Sequence, residues 1–242
     1  MRMYGPLAPW FHLITHPDSY AEEAAHILRL AEATCATKPE TLLELGSGGG
    51  NMASHLKKHL RCTLTDLSTD MIAVSHSLNP ECEHVQGDMR ELDLGAHFDV
   101  VLIHDAINYM TRETDLTAAI ETAARHTKMG GGVILLPDAI TESFAVGTRH
   151  GGVDAADGRS LRYLEWTHDI EPGSTTYEVD YALILREPGK PPRVESDRHI
   201  VGLFPRSTWL GLIEAAGLEP VELDIEDPFA EERTAFTARR PL

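Results

Sequence analysis

Short apolar runs alternate with amphipathic segments through the first 138 residues of the chain. The apolar runs predict five buried strands, at 41–45, 62–66, 83–88, 98–106 and 133–138. Apolar residues at helical spacing predict helices at 20–34, 51–60, 68–78 and 112–132, with Ser68 or Thr69 capping the third. This alternation is typical of parallel strands joined by crossover helices, so we expect a doubly wound α/β sheet. Its ligand should lie at the carboxyl ends of the strands.

The pattern changes after Asp138. Three segments alternate polar and apolar residues and are separated by the turn sequences EPGS and EPGKPP, which predicts a small antiparallel sheet over one end of the domain. These segments are 160–170, 175–187 and 193–204. A helix at 205–217 and two closing strands at 218–225 and 233–240 complete the expected seven-stranded sheet.

Composition narrows the classes of protein and of partner. The 242 residues are 42% hydrophobic and 24% charged, which is typical of a globular chain with a real core. The formal net charge of −17 disfavours nucleic acid and anionic membranes as partners, because both are polyanions. Three cysteines without metal-like spacing suggest reduced thiols, a cytoplasmic location and no metal site.

The glycine-rich stretch LLELGSGGGN, residues 42–51, points to a ligand that approaches the backbone closely. Numbered from Gly46, the dinucleotide pattern G-x-G-x-x-G places its last glycine at Asn51, which disfavours a nicotinamide oxidoreductase. The pattern acid–apolar–G-x-G-x-G fits instead, with Glu44 as the acid. An ordinary glycine-rich turn is the plain alternative.

With this motif the chain resembles the class I S-adenosylmethionine-dependent methyltransferases, and three later motifs strengthen the resemblance. Asp66 ends the second strand and is followed by apolar side chains; GDM at 87–89 ends the third; and HDAINY at 104–109 ends the fourth. The resemblance implies an S-adenosylmethionine site in a seven-stranded Rossmann-like sheet. The implied cofactor-binding residues are Tyr20, Glu44, Gly46, Ser47, Gly48, Gly50, Asp66, Leu67, Met71, Gly87, Asp88, Met89 and His104.

The resemblance assigns separate parts to several of these residues. Glu44 steadies the loop and the cofactor's ammonium group, Asp66 accepts both ribose hydroxyls, and Asp88 accepts from the adenine amino group. Leu67 and Met71 flank the adenine ring. A helix-capping role for Asp66 and a core position for Met71 are the structural alternatives.

A finer resemblance, carried by DSYAEEA, TDLSTDM, GDMREL and WLGLIEAAGLEP, is to small-molecule N-methyltransferases that act on amino sugars. It implies a single methyltransferase domain over 1–242, a lid segment at 1–19, an antiparallel substrate-side insertion at 139–204 and a possible homodimer. The implied acceptor-side residues are Trp10, His12, Asp105 and Tyr109. Trp10 could instead simply dock the N-terminal segment on the core.

The expected reaction is in-line transfer of a methyl group to a small-molecule acceptor, most plausibly an amine. Because an amine is mostly protonated at neutral pH, a base could be needed, and His104 is the candidate catalytic residue. Packing of His104 against the cofactor without a proton role is the alternative. Other functions left open are O-methylation of a small metabolite, methylation of a macromolecule, and non-catalytic cofactor binding.

Overall fold

A computed structural model of the chain describes residues 1–168, 170–171, 173–223 and 234–242. The seven strands of its main sheet are β1 (Thr41–Leu45), β2 (Arg61–Asp66), β3 (Glu83–Gln86), β4 (Phe98–Ile103), β5 (Thr127–Leu135), β10 (Glu219–Pro220) and β11 (Phe236–Arg239). They lie side by side in the order β10-β11-β5-β4-β1-β2-β3. Strands β1 to β5 pair in parallel and β11 is antiparallel to its neighbours, which confirms the predicted doubly wound sheet.

Six α-helices accompany these strands within the described residues: α1 (Phe11–Ile14), α2 (Ala21–Thr34), α3 (Ala53–Leu56), α4 (Thr69–Leu78), α5 (Glu113–His126) and α6 (Arg206–Ala215). Short 3-10 helices occupy Ala8–Trp10, Pro17–Tyr20 and Asp105–Tyr109. Ser68 caps α4 by accepting a hydrogen bond from the backbone N–H of Met71, as predicted. None of the helices in these ranges is long and apolar enough to cross a bilayer.

The core lies on both faces of the main sheet, because the central strands alternate their side chains between two clusters. Leu43 and Leu45 of β1 pack toward α5 and α6, whereas Leu42 packs toward α2 and α3. This two-sided burial matches the continuous apolar runs from which the strands were predicted. It leaves the loops at the carboxyl ends of β1, β2 and β4 free to form a site.

A second, antiparallel sheet of four strands lies inside the predicted insertion range 139–204. Its strands, in order, are β6 (Gly147–Asp154), β7 (Ser160–Thr167), β8 (Thr176–Arg186) and β9 (Arg193–Gly202). The N-terminal segment packs on its inner face, where Leu7 and Trp10 contact Leu161, Leu183 and Leu185. The sequence pattern missed β6, because GTRHGGVD has almost no apolar alternation.

The predicted helix at 112–132 was wrong over its last six residues. Helix α5 ends at His126, and Thr127 already belongs to β5. Gly132 pairs with Val100 on one side and Arg239 on the other. A Cβ at Gly131 would lie 2.8 Å from the carbonyl oxygen of Asp99, so the glycines let neighbouring backbone approach.

Other boundaries also differ from expectation, since β3, β4 and β5 end at Gln86, Ile103 and Leu135 rather than at residues 88, 106 and 138. The predicted helix at 51–60 contains only the four residues of α3, followed by turns. The predicted strand at 218–225 is reduced to β10, because Glu219 and Pro220 are its two ladder residues within the described chain. Residues 224–225 and Arg233 of the closing strands lie outside the described ranges.

Candidate active site

The glycine loop after β1 has the backbone that its sequence predicts. Gly46, Gly48 and Gly50 all have positive φ, at 75°, 52° and 74°. The N–H groups of Gly46 and Ser47 both donate to the carbonyl oxygen of Thr65 at 2.8 Å, which ties the loop to β2. A Cβ at Gly46 would lie only 2.4 Å from the Cβ of Ala106. A side chain at Gly46 is therefore excluded by conformation and by space.

Glu44, the acid before the loop, is buried without a counter-charge in contact. It is 2% exposed, and its Oε2 atom has no hydrogen-bond partner in the described part of the chain. Burial raises the pKa of Glu44 to about 8, an effect that the charge of His104 opposes and those of Asp66 and Asp105 reinforce. A buried carboxyl group with an unpaired oxygen fits a cationic ligand.

Asp66 links the ends of two strands. Its Oδ2 accepts from the N–H of Gly48 at 2.9 Å, and its Oδ1 accepts from the N–H of Ser68 at 2.8 Å. Burial raises its pKa despite these hydrogen bonds. The next two apolar residues differ, since Leu67 is 63% exposed whereas Met71 is fully buried and packs under Gly48. Asp66 holds the loop and still presents its remaining lone pairs at the sheet edge.

The GDM segment lies beside the glycine loop. The Cε atom of Met89 would meet a Cβ at Gly46, so this side chain borders the loop. Gly87 is packed by Leu92. The carboxylate of Asp88 is held by Arg90, whose Nε lies 3.0 and 3.1 Å from its two oxygens, and this ion pair lowers the pKa of Asp88. The structure thus places the GDM segment at the site, with the carboxylate of Asp88 already paired with Arg90.

His104, at the end of β4, is clamped between two carboxylates. Its Nε2 lies 2.9 Å from Oε1 of Glu23, and its Nδ1 lies 3.1 Å from Oδ1 of Asp105. Burial alone would lower its pKa, but Asp105 and Glu23 outweigh burial and raise the pKa of His104 to about 10. An imidazolium with both nitrogens engaged is a hydrogen-bond donor, so this geometry disfavours the predicted proton-accepting role.

Two tyrosine rings lie beside the end of β4. The Tyr20 ring lies 6.1 Å from the His104 ring, edge-on, and its hydroxyl accepts from Oγ1 of Thr15 at 2.8 Å. Burial raises the pKa of Tyr20 to about 12. The Tyr109 hydroxyl lies 2.7 Å from that of Tyr4. Both rings therefore border the space between β4 and the N-terminal segment.

The N-terminal segment brings His12, but not Trp10, to the glycine loop. His12 Nε2 lies 3.0 Å from the carbonyl oxygen of Gly49, and the Phe11 ring packs over the same glycine. Trp10 is 4% exposed and is buried against the second sheet, with the guanidinium of Arg159 over its ring at 5.2 Å. The prediction that Trp10 touches the acceptor is therefore disfavoured, and docking of the segment is its observed role.

A cleft of about 540 Å³ opens between the N-terminal segment, α2 and the second sheet. Its size is that of a small-molecule site. The residues that line it include His12, His16, Tyr20, Glu23, Gly152 and Tyr163. Since Glu23 also contacts His104, the cleft reaches the polar end of β4.

Sequence reasoning missed four polar residues near this site: Tyr4, Glu23, Asp197 and His199. Glu23 stands on the buried side of an amphipathic helix, where only a carboxylate among apolar neighbours signals a special role. His199 and Asp197 lie on β9, far along the chain from every cofactor motif. Only the fold brings them to Tyr109.

The sequence profile of the family described as Methyltransferase domain matches residues 42–131. These residues run from β1, through the glycine loop, Asp66 and the GDM segment, into β5. The fold, this match and the site geometry define an S-adenosylmethionine-dependent methyltransferase.

Comparison with curated proteins and solved structures identifies the branch of the methyltransferases to which the chain belongs. The chain is 31% identical over 201 residues to dTDP-3-amino-3,4,6-trideoxy-alpha-D-glucopyranose N,N-dimethyltransferase of Streptomyces venezuelae, covering 82% of this chain and 83% of that protein. It is 30% identical over 202 residues to dTDP-3-amino-3,6-dideoxy-alpha-D-glucopyranose N,N-dimethyltransferase of Streptomyces fradiae, covering 82% and 77%. The crystal structure of Streptomyces venezuelae DesVI superposes with a TM-score of 0.81 at 26% identity, over 92% of each chain. The chain belongs to this family of amino-sugar N-methyltransferases.

The residues present fit the cofactor of this family, S-adenosylmethionine. Oε2 of Glu44 and Oγ of Ser47 are buried and without hydrogen-bond partners in the described chain, directly at the glycine loop. Such atoms can pair with a polar ligand, and the three glycines with positive φ place no side chain beside them. Within the same ranges there is no group of three or more potential metal ligands.

Proposed function

We propose that this methyltransferase acts on the primary or secondary amine of an amino sugar carried on a nucleoside diphosphate. The activities named for the two Streptomyces relatives support the acceptor class. The observation in this chain that supports it best is the pair of carboxylates of Glu23 and Asp105 in contact with His104, with the carboxyl group of Glu44 close enough to feel the charge of the same histidine. Such a cluster favours cationic groups, and both the cofactor and a protonated amine are cationic.

On the cofactor side, Glu44 and Ser47 hold the amino-acid part, and Asp66 accepts the ribose hydroxyls. Leu67 and Met71 flank the adenine, with Gly87, Asp88 and Met89 at its edge. The bound cofactor supplies an electrophilic methyl group on a sulfonium. The glycine loop gives it an approach without steric obstruction, and the apolar neighbours exclude water.

On the acceptor side, the Glu23–His104–Asp105 cluster positions the amine. Asp105 keeps 39% of its side chain exposed, so a substrate ammonium can reach it. His104, held between both acids, fixes their orientation. We propose His104 as a positioning residue. Its role as a base stays a prediction that the raised pKa disfavours.

Transfer of label from radioactive cofactor tests this function. Purified protein is incubated with a dTDP-linked amino sugar and, as the matched control, with its hydroxyl analogue at the same ring position. Label is expected in the amino sugar only, with mono- and dimethyl products separated by mass. Label in the hydroxyl analogue alone, or in added tRNA or protein, would overturn the proposal.

A homodimer and a cytoplasmic location complete the proposal. Leu164, Trp166, Ile184 and Ile200 are 44–51% exposed and share the outer face of the second sheet. Clustered apolar side chains on a sheet face are typical of an interface, and a second copy supplies the matching face. Light scattering after chromatography should give twice the 26.7 kDa chain mass, and Ile184→Glu should give monomer. Monomeric wild type would refute the dimer.

A further inference from the structure

Four polar side chains form a continuous hydrogen-bonded chain from the N-terminal segment, past the end of β4, to β9. The Tyr4 and Tyr109 hydroxyls lie 2.7 Å apart, and the Tyr109 hydroxyl lies 2.8 Å from Nδ1 of His199. His199 Nε2 lies 3.1 Å from Oδ2 of Asp197, which also accepts from the N–H of Met3 at 2.7 Å. No cofactor motif includes Tyr4, His199 or Asp197.

Asp197 sets the direction of every hydrogen bond in this chain. A carboxylate accepts, so Nε2 of His199 carries the proton and Nδ1 presents its lone pair. Tyr109 then donates to His199, and Tyr4 must donate to Tyr109. The lone pairs of the Tyr4 oxygen are then the accepting end of this hydrogen-bonded chain.

Tyr4 stands at the right place to meet an acceptor. Its ring lies 6.2 Å from that of Phe11, which packs over Gly49 of the cofactor loop. The charges of Asp66 and Asp105 both act on its hydroxyl. The carbonyl oxygen of Tyr4 accepts from Oγ of Ser68, two residues after Asp66, and its hydroxyl contacts Tyr109, four residues after Asp105, so Tyr4 adjoins both sides of the site.

We propose that Tyr4, Tyr109, His199 and Asp197 form a proton relay that removes the proton of the acceptor ammonium during methyl transfer. This inference rests on the proposed amine acceptor. The ammonium N–H bond breaks as an O–H bond forms at Tyr4. Tyr4 passes its own proton to Tyr109, and Tyr109 passes its proton to Nδ1 of His199. The freed lone pair forms the C–N bond as the C–S bond breaks.

The surroundings of the relay keep Tyr4, Tyr109 and His199 neutral at rest, so a proton passes through them only during the reaction. Burial raises the pKa values of Tyr4 and Tyr109 well above the ordinary value, so neither remains a phenolate. Burial also lowers the pKa of His199, against the opposing effect of Asp197, so the imidazole is neutral and able to accept at pH 7. The titratable groups facing His199 are Tyr4, Tyr109, Tyr181, Asp197 and the amino group of Met1.

The pH dependence of kcat separates a relay from a structural role. In Tyr109→Phe and His199→Asn, the reaction depends on acceptor that is already deprotonated. We expect a loss of about 10- to 100-fold at pH 6.5, recovering to near the wild-type rate at pH 9.5. A structural role would lower the rate by the same factor at every pH. Tyr181→Phe is the matched control, because its ring packs 4.9 Å from His199 outside the relay, and it should follow the wild-type profile.

Nitrogen-15 NMR of the ligand-free protein tests the hydrogen bonds of the relay without any substrate. His199→Asn identifies the His199 signals by their disappearance. Wild type should show Nε2–H and an unprotonated Nδ1 at pH 7.5, and Asp197→Asn should mix the two tautomers. A wild-type Nδ1–H tautomer, or a pH-independent rate loss in the variants, would overturn the relay. If wild type methylated no amine, the proposed function would fail. The His199 tautomer would still show in which direction the hydrogen bonds of the relay run.

Discussion

Glu44→Gln should stabilise the cofactor-free protein and weaken its cofactor binding. Glu44 is 2% exposed, and burial raises its pKa from 4.5 to about 8. A carboxyl group whose pKa is higher in the folded chain binds its proton more tightly there. It therefore lowers the free energy of unfolding increasingly as the pH rises from 4.5 to 8. Glutamine has nearly the same shape and never ionises, so it avoids this loss.

The size of the effect follows from the two pKa values. Each pH unit between them costs about 1.4 kcal/mol. At pH 7 the wild type bears about 3 kcal/mol of this cost, and at pH 5 about 1 kcal/mol, as upper values before relaxation around the charge. For a chain of this length, 1 kcal/mol corresponds to about 2–4 °C in Tm. We expect Glu44→Gln to melt about 6–12 °C above wild type at pH 7 and about 2–4 °C above it at pH 5.

Calorimetric melting of both proteins from pH 5 to pH 8 measures this difference. Asp99→Asn is the control of opposite sign, because the hydrogen bonds of Asp99 to Lys128 and Thr41 outweigh its burial and lower its pKa. That variant should melt below wild type at pH 7. A Glu44→Gln protein that melted at or below wild type at pH 8, or a difference that did not change with pH, would refute the reasoning. Titration calorimetry should show that the same variant binds S-adenosylmethionine more weakly.

Three other changes have expected outcomes. Asp66→Asn should weaken cofactor binding by about 10- to 100-fold in titration calorimetry, because it removes a charged acceptor, and unchanged affinity would remove Asp66 from the site. Gly46→Ala should lower Tm more than Gly173→Ala. Both glycines have positive φ, but only the Cβ added at Gly46 would lie 2.4 Å from the Cβ of Ala106. Equal losses of Tm in the two variants would contradict the packing argument. Trp10→Ala should cost about 3–5 kcal/mol of unfolding free energy in urea melts; an unchanged midpoint would contradict docking by this ring.

The sequence predicted the cofactor half of the molecule well, because its signals are local. A strand, a glycine loop and a helix follow one another within a few residues, so the strand-end positions of Glu44, Gly46 and Asp66 could be predicted from the local pattern, whereas their roles toward the cofactor came from the resemblance and stay predictions. The same local reasoning failed where tertiary packing decides. Gly131 and Gly132 stop a helix in many contexts, but here Gly131 lets the backbone of Asp99 approach β5 and Gly132 makes room for the side chains of Thr34 and Cys35.

The acceptor half was less predictable because its residues are distant in sequence. Tyr109 and His199 are separated by 90 residues, and His104 and Glu23 by 81. No period or motif connects such pairs. The charged state of His104 also depends on both of its partners at once, so its identity as a histidine suggested a base whereas its surroundings make it a donor.

The charge pattern of the site and the relay answer one chemical difficulty. Carboxylates near His104 attract a protonated amine, but they also raise the pKa of that amine and keep its lone pair unavailable. The field that favours binding therefore opposes reaction. A neutral acceptor outside that field resolves the conflict, and Nδ1 of His199 is such an acceptor, two tyrosine hydroxyls away from the site. Where one amine is methylated twice, as the names of the Streptomyces relatives state for their substrates, the need recurs, because each transfer to a primary amine leaves an ammonium that must lose a proton before the next. Loss of the relay should therefore reduce the second methylation more than the first, and at low pH the variants should release monomethyl product.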